Sequence, residues 1–248
     1  MNKVAVVTGG SRGIGASTAA LLASLGWDVA VGYRQDVAAA NSVAEHCRSV
    51  GQRAVVLQMD VAQADDVVNF FTNVDEQLGI ASALVNCAGI VDQKARVDQY
   101  PPGRVERMFT VNVVGSFLCA QQAVRRMSTI HGGSGGSIVN VSSAASRLGS
   151  PGEYVDYAAS KGAIDTMTIG LARETAQEGI RVNAVRPGLV DTTIHASGGQ
   201  PDRIARLAPA IPMGRAGRPS EIANAIAWLC SDEASYVTGA IVDVSGGR

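Results

Sequence analysis

The 248 residues, 46% of them hydrophobic, can bury a large core and suit one α/β domain over residues 1–248 better than two small ones. A net charge of -1 gives no broad electropositive field, so no nucleic-acid partner is expected, and four scattered cysteines without a Cys/His cluster leave neither a metal site nor a disulfide framework. No apolar run approaches the roughly 18 residues of a membrane span and the amino terminus carries no signal-peptide pattern, so a soluble cytoplasmic protein, without a membrane partner, is the expectation.

Lys3 to Thr8 is a β-branched run, apolar at successive positions, as a parallel strand covered on both faces must be. Gly9-Gly10-Ser11-Arg12-Gly13-Ile14-Gly15 follows directly, and helix formers run from Ala16 to Leu25, so the glycines occupy a strand-to-helix turn. There Gly9 permits the turn, Gly13 lets the backbone approach a pyrophosphate, and Gly15 lets helix and strand pack closely, with the helix N-terminus facing the phosphates. An ordinary glycine-rich turn is the alternative; spacing, strand and helix together favour the phosphate reading. The second strand, Asp28 to Tyr33, ends at Arg34-Gln35-Asp36. At this point a dinucleotide fold meets the adenosine ribose, where a guanidinium holds a 2′-phosphate and a carboxylate takes a 2′-hydroxyl. Arg34 stands there, with Asp36 as the competing carboxylate.

A helix is expected over 38–50, a strand over 53–59 leading into Asp60-Val61, and a helix over 65–77. By residue type alone, Asp60 reads as a helix cap. Ala83 to Ile90 holds the next strand and its exit through Asn86-Cys87-Ala88-Gly89. Pro101-Pro102 block a helix before Val105, and a long helix is expected from Val105 to Arg126, with Asn112 a polar residue among apolar neighbours that needs partners. The glycine-rich loop His131 to Gly136 precedes a strand over 137–141, which delivers Ser142-Ser143.

Tyr157 and Lys161 lie four apart on the following helix, so a phenol and an ammonium share one face; a solvated helix face is the alternative. A nearby cation favours the phenolate and lowers a pKa of about 10 toward the range of acid/base work. Tyr154 has Ala158 at that offset and reads as a pocket wall. A strand over 181–185 exits through Arg186-Pro187-Gly188-Leu189-Val190-Asp191-Thr192, and the weakly periodic stretch after it reads as a mobile substrate lid at about 191–218. A helix running to Cys230 and a last strand within 236–245 complete the chain.

Thr8 to Gly15, Asn86 to Gly89, Tyr157 to Lys161 and Pro187-Gly188 resemble the motifs of the short-chain dehydrogenase/reductases, and the resemblance covers essentially the whole chain. It implies a doubly wound Rossmann fold, a seven-stranded parallel sheet in the order 3-2-1-4-5-6-7 with helices on both faces. It gives the cofactor loop to Gly9, Ser11, Arg12, Gly13, Ile14 and Gly15, and pairs Arg12 with Arg34 for NADP(H) in preference to NAD(H). Asp60 and Val61 would meet the adenine, Asn86, Ala88 and Gly89 the nicotinamide side, Pro187, Gly188 and Val190 would cover the nicotinamide, and Thr192 would bind its carboxamide. The catalytic set implied is Asn112, Ser143, Tyr157 and Lys161: Tyr157 the proton donor, Ser143 the hold on the carbonyl oxygen, Lys161 the tuner and ribose ligand, Asn112 the anchor of a relay water. A core Asn bonded to a neighbouring helix is the other reading of Asn112.

The chain departs from the family at Cys87, which replaces a second Asn, and in a path from Ser143 to Tyr157 that is one residue longer than usual, an insertion that fits the Ser150-Pro151-Gly152-Glu153 turn. The implied activity is NADPH-dependent reduction of a ketone or aldehyde, or the reverse oxidation, on a small molecule, with 3-oxoacyl thioesters in range. A sugar or polyol dehydrogenase is the alternative enzyme; a non-catalytic NADP(H) sensor is the alternative of another class, and the intact Ser/Tyr/Lys/Asn set argues against it. Arg125 and Arg126 offer either a contact for an acidic carrier protein or a solvated helix end. The family commonly forms tetramers through its long helices and last strand, so a homotetramer or a dimer is expected.

Overall fold

β1 (Lys3–Thr8) is buried at every position after Lys3, because its side chains feed two cores. Ala5 and Val7 join one with Leu22, Val29 and Ile226. Val4 and Val6 join the other with Phe71, Leu84 and Ile164. A strand with two apolar faces needs helices on both sides and neighbours on both edges, and β1 has them. The computed structural model describes residues 3–248; Met1 and Asn2 lie outside the described residues.

β2 (Trp27–Tyr33) and β4 (Ala83–Asn86) flank β1, with β3 (Ala54–Gln58) outside β2 and β5 (Gly136–Val141), β6 (Ile180–Pro187) and β7 (Ile241–Val244) following β4. All pairings are parallel and the order is β3-β2-β1-β4-β5-β6-β7, as expected. On the face of the first core lie α1 (Gly13–Ser24) and α2 (Val37–Ser49). α3 (Ala64–Gln77) buries Val67, Phe70, Phe71 and Val74, an i, i+3, i+4, i+7 stripe, against the other core, and carries Asp65 and Asp66 in its first turn.

The helix expected from Val105 to Arg126 is divided. α4 (Arg104–Phe109) passes through a π-helical turn, Thr110–Val114, into α5 (Gly115–Met127). The wider turn seats the fully buried Asn112 side chain against the exit of β4, a distortion that apolar periodicity cannot register.

Beyond β5 come α6 (Ala145–Leu148) and α7 (Val155–Thr175); beyond β6, α8 (Ile194–Ser197), α9 (Arg203–Leu207) and α10 (Pro219–Cys230). The stretch at about 191–218, read in the sequence as a mobile lid, contains two short α-helices. α10 starts at a proline in its first turn, with Glu221 accepting a hydrogen bond from the Arg218 N–H at 2.7 Å. The last strand is shorter than the span 236–245, and the segment before it is tied by side chains instead: Thr238 accepts from the Val182 N–H, and Asn183 from the Ala240 N–H. No described helix is long and apolar enough to cross a membrane.

Candidate active site

The carboxyl ends of the parallel strands open into one cleft of about 970 Å³. The turn after β1 forms one wall. Gly9 adopts φ +62°, and a Cβ there would lie 2.9 Å from the Ala88 Cα, so the bare backbone lets the exit of β4 come close. A Cβ on Gly15 would fall 2.3 Å from the Gly9 carbonyl oxygen, so Gly15 supports the turn from behind and does not line the cleft. α1 then begins on Arg12, whose side chain makes no cap hydrogen bond, and its amino end faces the cleft.

The structure brings Gly9, Ser11, Arg12, Gly13, Ile14, Arg34, Asp60, Val61, Ala88, Gly89, Ser143, Tyr157, Lys161, Pro187, Gly188, Val190 and Thr192 onto this one surface. Asn86, Asn112 and Gly15 stand behind it. Asn86 belongs to a buried ladder: its Nδ2 donates to Asn140 Oδ1 at 3.0 Å, and Asn140 Nδ2 to Thr168 Oγ1 at 2.9 Å, joining β4 to β5 and α7. Asn112 clamps the β4 exit. Its Oδ1 accepts from the Ile90 N–H at 2.8 Å and its Nδ2 donates to the Ile90 carbonyl and to Ser160 Oγ. Ser160, unremarked in the sequence, therefore ties the π turn to α7 between Tyr157 and Lys161.

At the β2 and β3 end of the cleft, Arg34 pairs with Asp60 at 3.0 Å. Asp36, the competing carboxylate, caps α2 by accepting from the Ala39 N–H at 3.0 Å. Arg12 is exposed and has no ion-pair partner among the described residues.

At the other end, Ser143 leaves β5 and lines the cleft with Tyr157, its hydroxyl accepting from the Ala145 N–H at 3.1 Å. Ser142 points elsewhere, its hydroxyl donating to the Lys161 carbonyl. Lys161 is 6% exposed; its ammonium donates to the Val141 carbonyl at 2.8 Å and lies 5.6 Å from the Tyr157 ring centre. Burial lowers the Lys161 pKa to about 8. Burial also raises the Tyr157 pKa, with the Ser143 hydroxyl pulling it back. The depression expected from Lys161 on spacing alone is not what moves Tyr157: desolvation prevails and raises its pKa, so Tyr157 keeps its proton as a phenol. Cys87 lines the cleft as a thiol pushed up to about 11 by burial, which leaves it protonated and inert.

The turn expected to hold the longer path from Ser143 to Tyr157 is tight: Gly149, Ser150 and Gly152 all have positive φ, and Ser150, at +46°, is the one non-glycine so placed among the described residues. Tyr154 does line the cleft, and it also ties to the segment after α8. Its hydroxyl donates to the Gly198 carbonyl at 3.0 Å and accepts from Gln200 Nε2 at 2.5 Å, while Arg203 stacks over its ring. Arg203 in turn pairs with Glu153 at 2.6 Å.

Sequence reading missed the group that seats the start of α7. Asp156 and Arg104, both buried, form an ion pair at 2.8 Å; Tyr100 donates to the same carboxylate at 3.0 Å, and Arg104 also donates to the Gln93 carbonyl. Burial works against the Asp156 charge, but the Arg104 hydrogen bonds outweigh it and hold the carboxyl below the ordinary Asp range. The available signal was an Asp inside an otherwise weakly charged helix start, with no partner identifiable in sequence. Arg126 is also placed: it bonds Asp75 at 2.7 Å and packs over Phe71, so the carrier-protein contact considered for Arg125 and Arg126 retains only the exposed Arg125.

The family profile described as Enoyl-(Acyl carrier protein) reductase matches residues 9–248. The chain is 54% identical over 245 residues to "Uncharacterized oxidoreductase YgfF" of Escherichia coli strain K12, covering 99% of each. It is 36% identical to the 3-oxoacyl-[acyl-carrier-protein] reductase FabG of Staphylococcus epidermidis, covering 100% of this chain and 99% of that protein. Among solved structures it is similar to a short-chain type dehydrogenase/reductase from Mycobacterium marinum, with a TM-score of 0.92, 35% identity, and coverage of 99% and 94% of the two chains.

Proposed function

The chain belongs to the short-chain dehydrogenase/reductase family of NAD(P)-dependent oxidoreductases, and from that premise we propose that it is an NADPH-dependent reductase of ketones or aldehydes with Tyr157 as proton donor. One observation carries the reading: Tyr157 and Ser143 line the same cleft, with the buried Lys161 ammonium one helical turn on and 5.6 Å from the Tyr157 ring centre.

The residues fit a dinucleotide. The bare glycine backbone at Gly9 and the uncapped amino end of α1 suit a pyrophosphate, and a Cβ on Gly89 would press on Asn112 Oδ1 at 3.3 Å and lie in ordinary contact with Lys161 Nζ at 3.7 Å. Gly9, Ser11, Arg12, Gly13 and Ile14 would form the phosphate turn with Gly15 supporting it from behind, Asp60 and Val61 the adenine wall, Ala88 and Gly89 the ribose side with Asn86 behind them, and Pro187, Gly188, Val190 and Thr192 the nicotinamide cover. NADP(H) is favoured over NAD(H) by two arginines at the adenosine end, Arg12 and Arg34, and by Asp36 serving as a helix cap. A bound NADPH supplies the hydride. Ser143 and Tyr157 hold the carbonyl oxygen by hydrogen bonds, and Tyr157 gives it a proton as negative charge develops. Lys161, oriented by the Val141 carbonyl, stabilises the phenolate left behind and contacts the ribose hydroxyls. Asn112, clamped to Ile90 and Ser160, holds the turn through which Tyr157 and Lys161 would exchange protons with solvent.

The protein is read as cytoplasmic and homotetrameric: Val114 and Phe117 near α5 and Ile169 on α7 are exposed apolar groups on the helices through which the family assembles. Ketones, diketones, acetoacetyl thioesters and aldoses assayed with NADPH and NADH in parallel test the reading. Oxidation of NADPH at a kcat/KM at least about tenfold above NADH with some carbonyl is expected; tight NADPH binding with no turnover of any carbonyl contradicts it and favours a sensor.

A further inference from the structure

α9 begins on Arg203, and its side chain, 13% exposed, lines the cleft beside the start of α7. The guanidinium lies 5.3 Å from the Tyr154 ring centre, and Nη1 donates to Glu153 Oε2 at 2.6 Å. Nε and Nη2, the edge of the fork that Glu153 does not use, have no partner among the described residues. Donors withdrawn from most of the solvent call for acceptors. The charge around them is unbalanced as well. Glu153 faces two cations, Arg203 and, at 3.5 Å, Lys94. Asp202 turns to Arg206 at 3.9 Å, and both Asp202 and Asp191 are exposed and outside the cleft lining. The His195 Nε2 donates to the Val190 carbonyl at 2.8 Å, and burial lowers the His195 pKa, which leaves the ring neutral. One positive charge is therefore in excess here, and its influence reaches the reacting group: burial governs the shifts of Tyr157 and His195, and the Arg203 charge adds a smaller lowering pull on both.

A substrate held with its carbonyl on Ser143 and Tyr157 thus finds, beside Tyr154, two parallel N–H donors on one cation. A carboxylate fits that edge with two hydrogen bonds, whereas a hydroxyl or an ester oxygen leaves the charge unmet. We propose that Arg203 anchors a substrate carboxylate, so that the substrate is an oxo acid, or the matching hydroxy acid, with the two groups separated along its chain. The carboxylate takes no part in the transfer of hydride and proton; it fixes where the carbonyl lies. This rests on the carbonyl-reductase reading and names its substrate class.

The test uses the full-length protein and NADPH with 4-oxopentanoate, 5-oxohexanoate and 6-oxoheptanoate, each beside its methyl ester. At the chain length that reaches Arg203, kcat/KM for the acid is expected about 10- to 100-fold above that for the ester, the scale of hydrogen bonds to a charged group, with the gain falling mainly on KM. Because Arg203 also holds Glu153 and Tyr154, the readout for its variants is the acid-to-ester ratio, in which a loss common to both substrates cancels. Arg203→Met should bring that ratio to within about threefold of unity, Arg203→Lys should keep part of it, and Glu153→Gln, which removes the competing carboxylate, should raise it. A ratio at or below unity at all three lengths, or one that Arg203→Met leaves at the wild-type value, overturns the carboxylate anchor and leaves hydride transfer standing. Binding of NADPH without turnover of these compounds or of any other carbonyl overturns the underlying reading and the substrate class with it.

Discussion

At Tyr157 burial and the Ser143 hydroxyl act in opposite directions, and burial prevails, so the phenol keeps its proton at neutral pH. Lys161 shows the other half of the same effect: leaving water disfavours its ammonium and brings its pKa to about 8. In the unfolded chain a lysine titrates near 10.4. Between about pH 8 and that value the unfolded chain holds the proton that the folded chain has lost, so this group's contribution to stability rises with pH across the window. On the proposed role of Lys161 the catalytic consequence has the opposite sign, because the ammonium that would stabilise the phenolate disappears over the same range. We expect reductive kcat/KM to fall above about pH 8 while the thermal midpoint of the wild type gains on that of Lys161→Met between pH 7 and 10. A midpoint difference independent of pH would show that Lys161 is not titrating in the folded protein as its burial requires.

Among the elements, α7 matters most, and its amino end is set by Asp156, one residue before Tyr157. The Asp156–Arg104 pair is buried on both sides, with side chains 0% and 2% exposed. Removing one partner of such a pair leaves a charge without compensation and costs about 3–5 kcal/mol, whereas replacing both with apolar side chains of similar size recovers much of the loss. Denaturant unfolding of Arg104→Met, and of the double variant Arg104→Met/Asp156→Leu, should show the single change as the more destabilising; equal losses would mean that the pair is not coupled. That pair also marks where sequence reading stopped. The strands and most helices were legible because their apolar periods are local, and β1 with its glycine turn carries its meaning within a few residues. Arg104 and Asp156 lie 52 residues apart, so only the folded chain makes them partners. The Tyr154–Gln200 latch escaped for the same reason, the distorted turn at Asn112 was implied by the family resemblance and not by apolar periodicity, and the direction of the Tyr157 shift depends on burial, which spacing does not report.

For the molecule as a whole, one parallel sheet presents the ends of its strands on a common edge, and the cleft along it divides by origin. The phosphate turn, Arg34 and Asp60 come from β1 to β3, while Ser143, Tyr157 and Lys161 come from β5 and α7. Binding of the dinucleotide and proton donation are therefore expected to be separable functions of one fold. The most direct test is Tyr157→Phe, assayed in parallel for NADPH binding by fluorescence titration and for turnover of a ketone that the wild type reduces. The account predicts a Kd for NADPH within about threefold of wild type and a kcat reduced at least about 100-fold, the scale of a lost general acid; retention of most of the activity would contradict it.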